Sequence, residues 1–134
     1  MTKRFKTWPV ALTCLALSCC AHRGSTEAQV QSALDVLADV IGPSSRISAE
    51  ACIARERAEL AEAKAGTQTV MQARADIAVV RQRCDVLRGT FERMADAHEK
   101  ARSLLEQGAV ADARARLEEV RALWRSLSTT EVTP

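Results

Sequence analysis

The chain has 134 residues, a formal net charge of +2 and an aromatic content of 3%. This length supplies one domain, and so few aromatic side chains exclude the stacking platforms that bind single-stranded nucleic acids. The small positive charge has a local origin, because Lys3, Arg4 and Lys6 lie at the N-terminus without a nearby acidic residue.

The N-terminal segment predicts an export signal. After the basic residues, about ten mostly apolar residues run from Trp8 to Leu17, and a polar sequence begins just beyond Cys20. A short basic region followed by a short apolar region is typical of a secretory signal peptide. A helix that spans a bilayer needs about 20 apolar residues, so this segment is too short to span one. We predict that this segment directs the chain to export and does not span the membrane.

The residues Leu17-Ser18-Cys19-Cys20 resemble the lipobox of bacterial lipoproteins. The resemblance implies that residues 1–19 are a signal peptide removed by cleavage before Cys20, that the Cys20 sulfur carries diacylglycerol and that the new N-terminus is acylated. It also implies a lipid anchor in the bacterial envelope, facing the periplasm, and Ala21 after the cysteine favours the outer membrane. Cys19 stands where the family has a small residue. This leaves two alternatives open, which are lipidation of Cys19 or ordinary cleavage after Ala21 to give a secreted protein without lipid.

Removal of the signal peptide changes the charge balance. Without Lys3, Arg4 and Lys6, the chain keeps 16 basic side chains against 17 acidic ones, a net charge of about −1. Affinity for nucleic acid comes largely from basic side chains that neutralise phosphates. This balance therefore predicts no nucleic-acid partner.

Cys52 and Cys84 are the two cysteines that remain after Cys20 is lipidated. In an oxidising compartment, a single pair of this kind most often forms a disulfide. A reactive thiol or a metal site would need CxxC spacing or a nearby histidine, and the chain has neither. We predict a disulfide between Cys52 and Cys84.

The mature chain is rich in strong helix formers and predicts an all-α fold. We expect four helices in an elongated antiparallel bundle or coiled-coil hairpin, with one long central helix. The first covers about 27–41, opens with a capping box at Thr26, ends at Gly42-Pro43 and has the apolar stripe Val30, Leu34, Leu37 and Ile41. The second covers about 49–65, is capped by Ser48, ends at Gly66 and has the stripe Ala49, Ile53, Leu60 and Ala63.

The third predicted helix, about 70–107, has the strongest pattern in the sequence. Its seam residues alternate in steps of three and four: Val70, Ala73, Ile77, Val80, Cys84, Leu87, Phe91, Met94, His98, Ala101 and Leu105. This spacing is typical of a coiled-coil helix, and because Gly89 keeps its phase we expect a bend there at most. After Gly108 a fourth helix repeats the spacing with Val110, Ala113, Leu117, Val120, Trp124 and Leu127.

These elements predict a domain over residues 26–128, a lipidated tether over 20–25 and a disordered tail over 129–134. If the second and third helices form an antiparallel hairpin around 66–68, Cys52 and Cys84 both lie about 20 Å from the turn, as a disulfide requires. The same register places Leu60 beside Ile77 and Ile53 beside Cys84. We expect the first helix to lie roughly in line with the second and, together with the fourth helix, to cover the third. In the alternative arrangement, the first helix folds back against the second.

The hairpin around Gly108 resembles a single tetratricopeptide repeat at Ala101, Leu104, Gly108 and Ala113. Only about one repeat matches, and solenoids need three or more, so we interpret this segment as a helix hairpin with small residues at its contact. Met94 and His98 lie one turn apart and could form a soft-metal pair, as in periplasmic metal sensors built from helical hairpins.

The seam positions of Met94, His98 and Trp124 favour core packing over metal or partner binding. The sequence also has no nucleophile–base pair, no glycine-rich phosphate loop and no opposed carboxylates, so we predict no enzymatic activity, no cofactor, no metal and no small-molecule substrate. We predict a small envelope lipoprotein whose helix faces bind a protein partner or another copy of the chain. The alternatives are a periplasmic metal or ligand sensor and a secreted helical protein without lipid.

Overall fold

The computed structural model describes residues 25–130, with side chains up to 127. Its helices are α1 (Thr26–Lys64), α2 (Val70–Glu106) and α3 (Val110–Thr130), and this part of the chain contains no strand. The all-α class is confirmed. Three helices occur where we predicted four, because the first two predicted helices form one.

α1 continues through Gly42 and Pro43, where we predicted a break. Proline inside a helix lacks an N–H donor and crowds the carbonyl four residues earlier, at a cost of about 3 kcal/mol. Both residues are exposed, so the disturbed turn faces solvent. On the opposite side of α1, the stripe ending at Ile41 is buried and Cys52 is bonded to α2. These attachments hold both halves of α1 against α2, which is itself continuous. Ser48 therefore lies inside α1 and is not an N-cap.

The N-termini of α1 and α2 are capped by hydroxyl side chains. The Ser25 hydroxyl accepts a hydrogen bond from the Ala28 N–H at 3.3 Å, so the cap lies one residue before the predicted Thr26. The Thr69 hydroxyl accepts one from the Gln72 N–H at 3.2 Å. Each cap satisfies an N–H group that has no partner within its own helix.

Glycines in the left-handed conformation end both long helices. Gly66 has a φ of 72° and Gly108 a φ of 76°, a region that residues with a Cβ atom adopt only with strain. After Gly108, the Ala109 N–H donates to the Leu104 carbonyl at 2.9 Å, which is the bond that ends a helix in a Schellman motif. The two glycines therefore reverse the chain into compact turns.

α1 and α2 pack against each other as an antiparallel pair, and α3 folds back mainly onto α2. We call residues 26–44, 88–106 and α3 the three-helix end, and residues 45–87 the two-helix end. The hydrophobic core belongs to the three-helix end and consists of Val30, Leu34, Leu37, Ile41, Phe91, Met94, Ala97, Ala101, Leu105, Ala113, Leu117 and Val120. The expectation that the first predicted helix continues the second and joins this end is confirmed.

The predicted seams of α2 and α3 agree with the burial pattern apart from Val70, which is exposed at the start of α2. The stripe that we predicted for the second half of α1 is mostly wrong. Ala49, Ile53 and Leu60 are exposed, and the side of α1 that faces α2 carries Ser45, Ser48, Cys52, Glu56, Glu59 and Ala63. These positions continue the spacing of the buried stripe from Ile41, because an unbroken helix keeps one phase along its length.

Replacement of Pro43 by alanine should stabilise the protein by up to about 3 kcal/mol, because alanine restores the missing N–H and removes the ring from the preceding turn. Urea denaturation followed by circular dichroism measures the change. Gly42→Ala is the matched control and should add about 1 kcal/mol from helix propensity alone, since a Cβ there meets no atom within 4 Å. A Pro43→Ala variant no more stable than the parent would contradict a continuous α1.

Candidate functional site

The predicted lipidation site, Cys20, and the alternative Cys19 lie outside the described residues, as do the signal peptide and residues 131–134. The description begins at Ser25, one residue before α1. Within residues 25–130, no helix has an apolar stretch long enough to cross a bilayer.

Cys52 of α1 and Cys84 of α2 form a disulfide in the structure, with their Cα atoms 6.0 Å apart. The bond closes a separation of 32 residues and lies between the hydrophobic core and the turn at 65–69. Both cysteines are half-buried. The two long helices are therefore joined covalently within the two-helix end, beyond the core.

The interior of the two-helix end contains little apolar surface. Among its described residues, only Ala73 and Glu59 are buried, and the α2 seam residues Ile77, Val80 and Leu87 are half-buried. They face serine and glutamate positions of α1 instead of an apolar stripe. Burial of apolar surface stabilises a fold by about 25 cal/mol per Å². It therefore contributes much less to the stability of this end than to that of the three-helix end.

Glu59 is a buried acidic residue that the sequence did not lead us to expect. Its carboxylate pairs with Arg55 at 3.1 Å, one turn earlier on α1. Its backbone carbonyl accepts a hydrogen bond from the Gln68 side chain at 3.2 Å, which connects α1 to the turn. The signal that could have found it is its distance of seven residues from Cys52, because seven residues return to nearly the same side of a helix.

The exposed apolar side chains are concentrated at the two-helix end. Eight large apolar residues among those described are strongly exposed, and Val36 alone lies in the three-helix end. The other seven are Ile47, Ile53, Leu60, Val70, Met71, Val79 and Val86. Since contiguous exposed apolar patches mark interaction surfaces, the two-helix end is the candidate location for one.

Two adjoining shallow depressions lie along one side of the two-helix end. One is bordered by Ile53, Glu56 and Arg81 beside the disulfide. The next is bordered by Arg74, Ile77 and Arg81. Because Ile53 and Arg81 border the same depression, this side displays residues of both helices, and we call it the open face. Ile53 borders the depression beside the disulfide and is 52% exposed, so it does not pack between the helices as the predicted stripe required.

An ion pair crosses the open face between Arg81 of α2 and Glu56 of α1. The hydrogen bond from the Arg81 guanidinium, with its positive charge, lowers the pKa of the Glu56 carboxyl below its ordinary value. On the same side, Arg88 is paired with Asp85 at 2.8 Å within α2. The α2 edge of the open face is therefore formed by Arg74, Arg81 and Asp85. Arg88, at the start of the three-helix end, continues the seven-residue interval of the two arginines.

Met94 and His98, the candidate soft-metal pair, lie in the three-helix end. Met94 is fully buried in the core, and the Nε2 of half-buried His98 lies 2.8 Å from the Leu34 carbonyl, to which it can only donate. Among the residues that the structure describes, no three His, Cys, Asp or Glu side chains are grouped to hold a metal ion. The contacts of Met94 and His98 support a packing role that ties α2 to α1.

The other singled-out residues of α2 and α3 also pack at the three-helix end. Trp124 is half-buried against the core, which agrees with its predicted seam position. Ala101 and Ala113 are fully buried where α3 returns along α2, so small side chains do lie at this contact.

No known protein family, characterised protein or solved structure matches this chain.

Reduction of the disulfide should lower the free energy of unfolding by about 3–4 kcal/mol, the entropic value for a separation of 32 residues. Urea denaturation with and without reductant measures this loss. Amide hydrogen exchange should accelerate mainly over residues 45–87, which have little core of their own.

A variant with both cysteines replaced by alanine is the control, and reductant should not change its stability. Equal acceleration of exchange at both ends of the molecule would contradict a local role for the bond. Equal stability of the oxidised and reduced chains would contradict the disulfide itself.

Proposed function

We propose that this protein is a small lipoprotein of the bacterial envelope that binds a protein partner through its two-helix end and catalyses no reaction. The observation that carries this proposal is the confinement of seven of the eight exposed large apolar side chains to that end. Burial of such side chains against a partner removes apolar surface from water, which favours association.

The anchor is proposed from the sequence Leu17-Ser18-Cys19-Cys20, which resembles a lipobox, and from the basic and apolar regions before it. A lipid with several acyl chains holds a protein at a membrane durably, whereas a single chain binds only marginally. A tether of about six residues from Cys20 would attach the lipid to the start of α1. The outer membrane, facing the periplasm, is the proposed location.

The direction of α1 separates the proposed anchor from the proposed binding surface. α1 has 39 residues, which at 1.5 Å per residue correspond to about 58 Å. Its N-terminal residue lies at the three-helix end, and the turn at 65–69 lies at the other end of the molecule. The lipid and the turn would thus be separated by the full length of the domain. The two-helix end would begin about 28 Å from the start of α1, so that a partner is met away from the membrane surface.

Replacement of Cys20 by serine should move the protein from the membrane fraction to the soluble fraction, because the lipid cannot be attached. Cys19→Ser is the matched control and should leave the protein in the membrane fraction. Intact mass of the parent should show a chain that starts at Cys20, carries acyl groups and lacks two protons for the disulfide. A full-length chain without acyl groups and with free Cys52 and Cys84 thiols in the cytosol would contradict the proposal.

A photo-crosslinking amino acid at Met71 should form a covalent adduct of defined mass in living cells, because this position is 82% exposed at the two-helix end. The same amino acid at Val36, which is 53% exposed at the three-helix end, is the control and should give no such adduct. Identical adducts at both positions, or an adduct at Val36 alone, would place the partner elsewhere.

A further inference from the structure

We propose that the open face binds an amphipathic helix of the partner protein, one whose apolar stripe is flanked by acidic side chains. This inference rests on the proposed function, since it specifies the chemistry of the partner that the two-helix end meets. It follows from the arrangement of apolar and basic residues on that face.

Apolar residues of both helices line the open face. Ile53 and Ile77 border its two depressions, and Leu60 lies on the same side as Ile53 because the two are seven residues apart on α1. Ile53 is 52% exposed and Leu60 is 44% exposed. Together they form a strip between two antiparallel helices, the geometry in which a third helix places its own apolar stripe.

Basic side chains flank this apolar strip. Arg57 and Lys64 follow Ile53 and Leu60 by four residues each on α1, and Arg74 lies across the face on α2. None of these three cations forms an ion pair with another residue in the described part of the chain. An occupant with acidic flanking residues would pair with them, whereas a basic one would be repelled.

A second copy of the chain is a poor match for this face. Two copies joined face to face by a two-fold axis would bring one set of Arg57, Lys64 and Arg74 against the other. Like charges placed opposite each other oppose association. The charge of the face therefore favours a partner of different composition.

The length of the face and the charge at its border define how the partner helix fits. Residues 45–64 of α1 extend for about 30 Å, which corresponds to roughly 20 residues of a helix. Toward the three-helix end, the exposed residues Glu92, Glu99 and Glu106 occur at seven-residue intervals on α2. These carboxylates would repel an acidic helix, so binding is confined to the two-helix end.

The fold already contains one helix packed in a comparable way. α3, with 21 residues, lies along α2 at the three-helix end through Ala113, Leu117 and Val120, which repeat in steps of four and three. No helix of the described chain covers the open face in the same manner. The partner helix would complete a three-helix arrangement at the end where this chain supplies only two.

The test uses the full chain as purified in a neutral detergent and a synthetic peptide of the same length as α3. The peptide carries leucine at its seam positions and glutamate at the flanking positions, and a second peptide has lysine in place of glutamate. Fluorescence anisotropy should show binding of the glutamate peptide that weakens as salt is added, because salt screens the ion pairs. The lysine peptide should not bind. Equal binding of both peptides, or of neither, would overturn the proposal.

Two substitutions locate the binding site. Leu60→Ser removes apolar contact and Lys64→Glu reverses a flanking charge, and each should weaken binding of the glutamate peptide by about ten-fold. Val36→Ser and Arg114→Glu change exposed residues of the three-helix end and should leave it unchanged. Circular dichroism checks that all four variants remain folded. The assignment would be overturned if Leu60→Ser and Lys64→Glu each weakened peptide binding by less than two-fold, or if the control variants weakened it equally.

Two further measurements separate other occupants of the face. Binding to phosphatidylglycerol vesicles that Leu60→Ser and Lys64→Glu abolish would assign the face to a lipid surface and overturn the proposal. A dimer detected by light scattering that Leu60→Ser dissociates would assign it to a second copy, with the same consequence. Peptide binding does not depend on Cys20. Failure of the lipid anchor and failure of helix binding are therefore observed independently.

Discussion

The unbroken phase of the α2 seam is the constraint on which the rest of the structure depends. From Ala73 to Leu105 its buried and half-buried residues follow steps of three and four without interruption, and Gly89 does not disturb them. A partner that packs along such a seam must keep its own phase. α1 does so through Gly42 and Pro43. α3 covers the part of α2 that α1 leaves open at the three-helix end.

The two ends of the molecule are stabilised by different means. At the three-helix end, apolar side chains of three helices are removed from water, and Leu34, Met94 and Val120 are fully buried. At the two-helix end, the side of α1 that faces α2 is polar, and the disulfide between Cys52 and Cys84 holds the two helices together. Covalent closure acts on the unfolded chain and does not require an apolar interior. Seven large apolar residues of this end are left exposed on the outer faces of the two helices.

The sequence could predict the helical class, the seams of α2 and α3, and the turns at Gly66 and Gly108. At these places residue type and residue spacing indicate the same structure. The continuity of α1 could not be predicted, since the rule that proline ends a helix is local and packing against α2 overrides it. The second half of α1 has two competing stripes, and we chose the more apolar one. The structure turns the polar stripe with Cys52 and Glu59 inward and leaves Ile53 and Leu60 on the open face. This reversal creates the candidate site, so the site could not be found before the fold was known.

The position of Pro43 between two attachments has a mechanical consequence. A pulling force applied to the turn and to the N-terminal end would travel along α1 and reach its weakest turn at Pro43. The disulfide transfers part of that load to α2 before it arrives there. The core on the other side of Pro43 returns the load to α1 through the packing of Ile41 and the residues before it. The segment of α2 between Cys84 and Phe91 thus carries part of the tension in parallel with the turn at Pro43.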